Sequence, residues 1–283
     1  MLNALTVDVE EHFQVHNFET VIDRRDWEKQ ESRVAPNTRR ILRLLEDTGA
    51  KATFFVLGWV ADRHPDLVRD IVAGGHELAT HGYAHELIYR QKPEEFAEDI
   101  RKSLDAIARA LGPDGPRPLG YRAPAFSITK ESLWALDVLK DAGFRYDSSI
   151  FPLAAHHRYG IADAGRFASR LPGGLWEFPI STVRIASKNL PVAGGGYFRL
   201  FPLWVTRKAI EHINAEGHPA VVYLHPWEFD PEQPRIHDAS ALSRFRHYVN
   251  LDSTEHKLRS LLQSPLGFGP MRDTFSRELG AAA

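Results

Sequence analysis

The sequence predicts an α/β protein built as a distorted (β/α) barrel, closed or nearly closed, of about seven parallel strands. Over residues 1–225, short apolar runs alternate with amphipathic helical patterns. Two parallel strands need a crossover between them, and a helix supplies it. Hydrophobic residues make up 43% and charged residues 25% of the 283 residues, which is the composition of an ordinary globular protein.

The predicted elements follow one another in a regular order. Residues 4–9 form the first apolar run, and residues 36–48 carry apolar side chains at helical spacing, with Pro36 near the start and Gly49 after the end. Residues 52–58 form a continuous apolar run, as a buried strand does. The later units alternate in the same way: helix 65–73, strand 76–80, helix 93–111, strand 119–124, helix 129–142, strands 144–149 and 175–182, helix 202–216 and strand 219–225.

The carboxyl-terminal half departs from this alternation in two places. Residues 150–200 are irregular, which predicts long loops or a small insertion. Two short helical patterns, 239–250 and 254–263, follow the last strand and lead to an alanine-rich tail that we expect to be loose. We therefore predict a barrel domain over residues 1–235 and a helical extension over residues 236–283 that packs on the barrel.

Charge and composition exclude several classes of protein. The net charge of −2 shows no basic excess, so we expect no nucleic-acid partner. Cysteine is absent, so neither a disulfide nor a catalytic thiolate is available. The first residues lack the pattern of a secretory signal peptide, and no apolar run approaches the roughly 20 residues that span a bilayer. We expect a cytoplasmic protein without a transmembrane segment, and the oligomeric state stays open.

The first predicted strand ends in carboxylates, within the stretch VDVEEHF. Side chains alternate across a strand, so Asp8 and Glu10 point to the same side. The pair could enter a functional site. A strand that simply ends in solvent explains these two residues equally well.

Two histidines follow the strand at 76–80, within the stretch ATHGYAH. The spacing of His81 and His85 places both imidazoles on one side of a helical turn. Such a pair, completed by a carboxylate from elsewhere, is typical of Zn²⁺ sites that keep one position open. The alternative is two partly exposed histidines bonded to loop backbone.

Three later strand ends also carry polar residues. Arg122 sits at the end of the strand in the strand-and-turn stretch 119–124 and could keep a buried carboxylate ionised, although a surface arginine is the alternative. Asp147 and His225 close two further apolar runs. Catalytic groups of (β/α) barrels collect at the carboxyl ends of the strands, so this succession of polar ends indicates a site.

The stretch KATFFVLGWVADRHPDLVRDIVAGGHELATHGYAH, residues 51–85, resembles the polysaccharide deacetylases of carbohydrate esterase family 4, the NodB homology domain. Those enzymes carry an apolar TFF strand, a helix, G-H-E and an H-x-x-x-H pair of metal ligands. RAPAF at 122–126 is similar to the third motif of the family and LH at 224–225 to its last. The resemblance covers residues 5–226 and implies a NodB-type barrel.

Two further stretches narrow the resemblance. VDVEEHF and GGGYFRLFP, residues 194–202, look like the subgroup associated with exopolysaccharide loci in bacteria that use the exosortase/PEP-CTERM sorting system. That subgroup has an extra carboxyl-terminal region, which would cover residues 150–283 here. The resemblance therefore implies a role in exopolysaccharide biosynthesis or modification.

The resemblance also implies a metal site. The commonest family signature has two adjacent aspartates, one a base and one a ligand, whereas Asp8 and Glu10 are separated by one residue. Related members use this wider spacing, so the base role falls to Asp8 and the ligand role to Glu10, together with His81 and His85. Zn²⁺ is the preferred ion, and Co²⁺ or Ni²⁺ would also bind.

The implied reaction is hydrolysis of N-acetyl groups on amino sugars, with release of acetate. Asp8 takes the proton of the attacking water, Arg122 keeps Asp8 ionised, and Asp147 orients Arg122. His225 protonates the leaving amine. The backbone N–H of Ala125 donates to the developing oxyanion.

The expected substrate is an acetylated amino-sugar oligomer or polysaccharide. Leu224 is expected to line the acetyl pocket. Phe126, Trp227 and Tyr197 are candidate surfaces for stacking against a sugar ring, and packing is the alternative for each.

Two other functions stay open. An allantoinase-like cyclic amide hydrolase shares the fold and a similar VxVEE start, and it would depend little on metal. A catalytically silent carbohydrate-binding protein would lack a base or a metal ligand, and neither is missing here.

Overall fold

A curled, mostly parallel sheet forms a half-barrel at the centre of the protein. The structure, a computed structural model, describes residues 1–153 and 160–280. Its strands are β1 (Leu2–Val9), β2 (Thr53–Val56), β3 (Glu77–Thr80), β4 (Gly120–Tyr121), β5 (Tyr146–Asp147), β6 (Ser169–Arg170), β7 (Trp176–Glu177), β8 (Thr182–Ile185), β9 (Lys188–Pro191), β10 (Val221–Leu224) and β11 (Gly267–Gly269). Strands β8 and β9 form a separate hairpin.

Seven consecutive strands of the sheet run parallel, in the order β10-β1-β2-β3-β4-β5-β7. The predicted number of parallel strands is therefore confirmed. Strand β6 adds an antiparallel edge, and β11 runs parallel to the first residues of β1. Among the described residues the two edges, β10 and β6, do not pair. Across this opening, the backbone N–H of Val221 donates to the Ser181 hydroxyl at 2.8 Å.

Helices follow most of the strands and cover the outer side of the sheet. They are α1 (Val34–Thr48), α2 (Gly58–Arg63), α3 (Pro65–Ala73), α4 (Pro93–Leu111), α5 (Trp134–Asp141), α6 (Gly195–Leu200), α7 (Leu203–Ala215), α8 (Ala241–Tyr248), α9 (Thr254–Leu262), α10 (Met271–Thr274) and α11 (Ser276–Leu279). Helix α2 was not predicted, because its residues were assigned to the end of a strand or to a connection. None of the helices in the described residues is both long and apolar enough to span a bilayer.

Strand alternation divides β1 between two environments. Leu5, Val7 and Val9 are buried in an apolar cluster shared with helices α1, α3 and α7. Thr6 and Asp8 lie on the opposite side and face the interior of the half-barrel, where the guanidinium of Arg122 contacts both. The alternation of side chains along β1 therefore points carboxylates into the interior, while the apolar side chains of the other face pack against the helices.

The carboxyl-terminal segment fills the end of the half-barrel at which the strands begin. Met271 and Phe275 are buried in the interior cluster. The backbone N–H of Met271 donates to the hydroxyl of Thr53 at 2.7 Å, and that of Arg272 donates to Glu77 at 2.8 Å. Strand β11 was not predicted, because Gly-Phe-Gly carries no strand pattern. The domain boundary at residue 235 stays a prediction, and the last three residues of the predicted loose tail lie outside the described part.

The third carboxylate of the opening stretch stabilises a helix and does not reach the site. Glu11 accepts hydrogen bonds from the backbone N–H groups of Arg33, at 2.9 Å, and Val34, at 3.1 Å. A carboxylate at a helix amino terminus pairs the free N–H groups and opposes the helix dipole. Helix α1 consequently begins at Val34, two residues before the predicted start.

Candidate active site

The end of β1 brings Asp8 into contact with a buried arginine. Arg122 is 0% exposed and Asp8 is 2% exposed, and Arg122 Nη1 lies 2.7 Å from Asp8 Oδ1. The same guanidinium donates to Thr6 Oγ1 at 2.7 Å and to the backbone oxygen and the hydroxyl of Ser148. The predicted contact between Arg122 and a buried carboxylate is thus present. None of the described hydrogen bonds of this guanidinium goes to the other carboxylate oxygen, Asp8 Oδ2.

Glu10, His81 and His85 converge two residues further along. One ligand atom from each of the three lies within 4.8 Å of the others. Glu10 Oε2 is 2.7 Å from His85 Nε2 and 3.9 Å from His81 Nε2. All three side chains are buried. A carboxylate and two imidazoles in this arrangement are a possible metal site.

The protonation of this cluster suits a cation. His81 Nδ1 lies 2.7 Å from the backbone oxygen of Arg122, which can only accept, so Nδ1 carries the proton. Nε2 then has no hydrogen, and its lone pair can bind a metal ion. Burial lowers the pKa of His81 to about 4. Burial opposes ionisation of Glu10. The charge attraction between Glu10 and His85 and the hydrogen bond between them outweigh this effect and lower the pKa of Glu10 to about 2. At neutral pH, Glu10 is an anion and His81 is neutral.

The segment that carries the two histidines is a bend and not the predicted helical turn. Gly82 has φ +77° and His85 has φ +51°, both in the left-handed region. Asp99, on α4, accepts from the backbone N–H groups of Tyr83 at 2.8 Å and Ala84 at 3.1 Å and so holds the bend. A Cβ at residue 82 would lie 2.8 Å from Asp99 Oδ2, which explains the glycine. The histidines still meet, but through a loop closed by a distant helix.

His225 follows β10, and its imidazole lies close to the carboxylates of Asp8 and Glu10. Its Nε2 lies 3.7 Å from Glu10 Oε1 and 3.9 Å from Asp8 Oδ2, and its Nδ1 lies 3.2 Å from Glu228 Oε2. Burial disfavours the charged imidazole, but the hydrogen bond to Glu228 and the attraction of Glu10 raise the pKa of His225 to about 9. The imidazole is therefore protonated at neutral pH, with Nε2–H on the side of Asp8 and Glu10.

A buried ion pair that the sequence did not reveal supports His225. Glu228 Oε1 accepts from Arg199 Nε at 2.8 Å, and both side chains are buried. Arg199 also donates to the backbone oxygens of His247 and Val249. Glu228 lies three residues after His225, the spacing of a capping box, and this spacing was the signal in the sequence that could have indicated its contact with His225. Nothing local marked Arg199, because its partners lie 29 to 50 residues away.

Glu228→Gln is expected to lower turnover by roughly 10–100-fold, the range for carboxylates that orient a functional histidine. The amide keeps the volume but removes the anion that faces Nδ1 of His225, so the ring loses its preferred orientation and charge. Steady-state kinetics and metal content of the purified variant test this. Glu211→Gln, at an exposed carboxylate of α7, is the control. Unchanged turnover would mean that Glu228 serves only to pair Arg199.

Asp147 does not orient Arg122, so that prediction is wrong. The described hydrogen bonds of the Arg122 guanidinium go to Asp8, Thr6 and Ser148. Asp147 accepts instead from the hydroxyl and the backbone N–H of Ser149, whose hydroxyl oxygen accepts from the N–H of Ala123 at 2.7 Å. Asp147 therefore reaches the residue after Arg122 only through a serine.

Asp147 forms a buried carboxyl pair with Glu177, its neighbour across β5 and β7. Burial raises the pKa of both groups, and the charge of Asp147 raises that of Glu177 further, so that the pair keeps a proton. Glu177 Oε1 accepts from the N–H of Ile150 at 3.0 Å, whereas no donor among the described residues reaches the buried Oε2. A proton shared between the carboxyl groups satisfies that oxygen.

This pair makes stability depend on pH with a defined sign. Above the ordinary glutamate pKa of 4.5, the unfolded chain has lost a proton that folded Glu177 retains. The folded state then binds more protons, so the free energy of unfolding falls as the pH rises. Glu177→Gln supplies a permanent hydrogen-bond donor. We expect this variant to lose less free energy of unfolding between pH 5 and pH 8 than the wild type does, by about 1 kcal/mol or more. Urea unfolding at both pH values, with Glu232→Gln as the exposed control, measures the difference; equal slopes in all three proteins would contradict it.

The structure corrects the predicted role of Leu224. Leu224 is packed with Val7 and Val222 in the cluster shared with the helices. Its neighbour Tyr223 belongs to the interior cluster instead. Successive side chains of a strand point to opposite sides, so Leu224 points away from the site and cannot line an acetyl pocket there.

Two of the predicted stacking residues are packing residues. Trp227 is buried, and its ring stacks against the rings of His225, at 5.1 Å, and His247, at 4.1 Å, so it offers no open face to a sugar. Its Nε1–H donates to Glu10 Oε1 at 3.2 Å, which orients the carboxylate. Phe126 is buried edge-on against Tyr223 at 4.9 Å. The prediction of sugar stacking is therefore wrong for Trp227 and for Phe126.

Ala125 and Tyr197 keep their predicted roles as predictions. Ala125 is half-buried and has φ +50°, a strained conformation for an alanine. Tyr197 is half-buried on α6, and its ring lies 6.0 Å from that of Phe201. The backbone strain at Ala125 is of a kind that is frequent at functional sites, and it fits a backbone N–H turned towards a ligand.

Two known families match consecutive parts of the chain. A family described as polysaccharide deacetylase matches residues 27–146. The chain carries a polysaccharide deacetylase domain. A second family, described as a domain of unknown function (DUF3473), matches residues 148–276. The deacetylase match includes the His81 and His85 bend, and the second match includes His225 and Glu228, so both halves contribute to the site.

Individual relatives agree with this assignment. The deacetylase domain is 34% identical over 102 residues to a chitooligosaccharide deacetylase of Bradyrhizobium, covering 36% of this chain and 43% of the relative. It is 32% identical over 101 residues to a peptidoglycan-N-acetylglucosamine deacetylase of Bacillus cereus, covering 35% and 36%. The chain thus spans less than half the length of these curated relatives.

Solved structures share the fold across nearly the whole chain. A Mycobacterium smegmatis protein assigned as a polysaccharide deacetylase has a TM-score of 0.64 at 17% identity, covering 98% of this chain and 89% of its own. An allantoinase has a TM-score of 0.60 at 15% identity, covering 99% and 90%. At such identities the similarity concerns the fold, which the deacetylase domain shares with both.

Proposed function

We propose that this deacetylase-domain protein hydrolyses N-acetyl groups on amino sugars of a bacterial polysaccharide in a metal-dependent reaction that releases acetate, as a step of exopolysaccharide biosynthesis or modification. The observation that supports it is the arrangement around Glu10. An ionised carboxylate with two imidazoles lies beside an arginine-paired aspartate, Asp8, and a protonated histidine, His225, whose Nε2 is 3.9 Å from Asp8 Oδ2. A base and an acid next to a cation site are the groups that amide hydrolysis requires.

The three clustered residues fit a divalent ion. Glu10, His81 and His85 would hold it, and a ligand set of one carboxylate and two imidazoles suits Zn²⁺, with Co²⁺ or Ni²⁺ also compatible. When bound, such an ion supplies Lewis-acid activation of water and of a carbonyl group. Trp227 fixes one oxygen of Glu10 by its indole N–H, which leaves the other towards the imidazoles.

Asp8 acts as the general base. Its Oδ1 accepts from Arg122, so Oδ2, on the side of His225, is the oxygen that takes the proton of the attacking water. The guanidinium of Arg122 is the counter-charge of the Asp8 carboxylate and holds it in one orientation. The oxygen of that water forms a bond to the acetyl carbonyl carbon.

His225 completes the reaction as the general acid. When the carbon–nitrogen bond breaks, the amine nitrogen takes the proton of His225 Nε2, and acetate leaves with the oxygen of water. Glu228 holds Nδ1 and keeps the proton on the side of the substrate. In this proposal the N–H of Ala125 stabilises the oxyanion that forms before the bond breaks.

Acetate release from N-acetylglucosamine oligomers tests the proposed function. We expect activity in the purified protein, its loss after chelation and its return with Zn²⁺, and no activity on allantoin. Activity on allantoin that survives chelation would favour the cyclic amide hydrolase. Binding of oligomers without release of acetate, in protein with full metal content, would favour the silent carbohydrate-binding protein.

A further inference from the structure

A polar pocket lies beside the candidate metal ligands, on the side of His85. It has a volume of about 300 Å³ and is lined by Phe13, Gln14 and Trp27 from one segment and by His85, Glu86 and Arg90 from another. The first segment belongs to the connection between β1 and α1, residues 10–33. A volume of this size is at the lower end for binding sites of small molecules.

Gln14 leaves a hydrogen-bond donor without a partner in the wall of this pocket. The side chain is 4% exposed, and its Oε1 accepts from the backbone N–H of Glu11 at 2.8 Å. That bond fixes the orientation of the amide, so the other end is the NH₂ group. Among the described residues, Nε2 has no hydrogen-bond partner. A buried donor without a partner is costly, and it indicates that a ligand or water completes the site.

The charges around the pocket are already paired. Arg24 pairs with Glu86 and donates to the backbone oxygen of His85 at 2.9 Å. Arg90 binds both carboxylate oxygens of Glu19, at 2.9 and 3.2 Å. Neither arginine is left over to bind an anion, so the pocket favours a neutral ligand that offers hydroxyl or carbonyl oxygens.

We propose that this pocket binds a neutral sugar unit of the same polymer, next to the unit that loses its acetyl group. This inference rests on the proposed function, since it takes the ligand to be part of an amino-sugar polymer. The Gln14 amide donates to an oxygen of that sugar, and Glu86 and Arg90, which pair with Arg24 and Glu19, lie in the wall of the pocket. Because His85 borders both the pocket and the metal cluster, the two sugars occupy neighbouring positions.

Calorimetry with the N-acetylglucosamine pentamer and metal-loaded protein tests the pocket. Gln14→Leu keeps the volume of the side chain but removes the donor, and we expect its dissociation constant to rise about tenfold. Thr20→Trp, at an exposed residue of the pocket rim, is expected to weaken binding by at least as much without disturbing the core. Gln263→Leu, at an exposed glutamine after α9, is the control and should bind as the wild type does.

The same proteins separate failure of the pocket from failure of the proposed function. If the wild type does not bind the pentamer, or if both pocket variants bind it as tightly as the wild type, the pocket is not a sugar site. In the two pocket variants, acetate release from the pentamer should fall about tenfold more than acetate release from the smallest oligomer that the wild type deacetylates. An equal fall for oligomers of all lengths also overturns the inference. Gln14-dependent binding without any acetate release would refute the proposed function and leave the pocket standing.

Discussion

Asp8→Asn is expected to retain its metal and to lose about 10³-fold in turnover, within the 10²–10⁴-fold contribution of a general base. Asparagine keeps an oxygen for the Arg122 hydrogen bond but cannot take a proton from water. The guanidinium, which is fully buried, loses its counter-charge, so we also expect a lower free energy of unfolding. Metal analysis, single-turnover acetate release and urea unfolding of the same preparation measure the three effects.

The metal content decides how this result is interpreted. Loss of metal in Asp8→Asn would mean that the base and ligand roles of Asp8 and Glu10 are exchanged. Asp163→Asn is the control for the substitution itself, because that carboxylate is exposed and its ion pair within the described part of the chain is with Lys130. It should leave metal content, turnover and stability as in the wild type.

Glu10→Gln is expected to weaken metal binding by more than about 100-fold, beyond the 10–100-fold that loss of an outer partner of a ligand costs. The amide removes the one anion among the three clustered residues, and with it the charge that attracts the cation. Acetate release should be lost at limiting Zn²⁺ and recover in part at a large excess. Metal titration of the chelated protein gives the affinity directly.

The neighbouring carboxylate offers a matched control for this experiment. Glu11→Gln changes an equally buried glutamate, but that side chain holds the start of α1. We expect it to lower the free energy of unfolding by about 1 kcal/mol, as for the loss of a helix cap, and to keep the metal. A Glu10→Gln protein with full metal content would end the ligand assignment.

Much of the architecture was predictable because it depends on neighbours in the chain. The alternation of apolar runs and helical patterns predicted seven parallel strands and the helices that follow them, and it placed α3 and α4 at their observed bounds. The period of two along β1 predicted that Asp8 and Glu10 share a side. The same rule, applied to β10, would have turned Leu224 away from the site; the prediction of an acetyl pocket came from the resemblance alone.

The errors concern contacts between distant parts of the chain. The H-x-x-x-H spacing suited a helical turn, but Asp99 of α4 holds that segment as a bend. Asp147 is at the predicted strand end, yet its partner is Glu177 on the next strand and not Arg122. Trp227 was a candidate for stacking against a sugar ring, but it is buried against His225 and His247.

By itself, the sequence determined the order of strands and helices, the inward direction of Asp8 and the set of side chains that could form a site. Only the tertiary structure decided that Asp147 pairs with Glu177, that Arg199 and Glu228 support His225, and that Glu11 begins a helix. The reason is physical. Periodicity and propensity act over a few residues, whereas the partner of a buried charge is whichever group the packing of remote strands brings within hydrogen-bond distance.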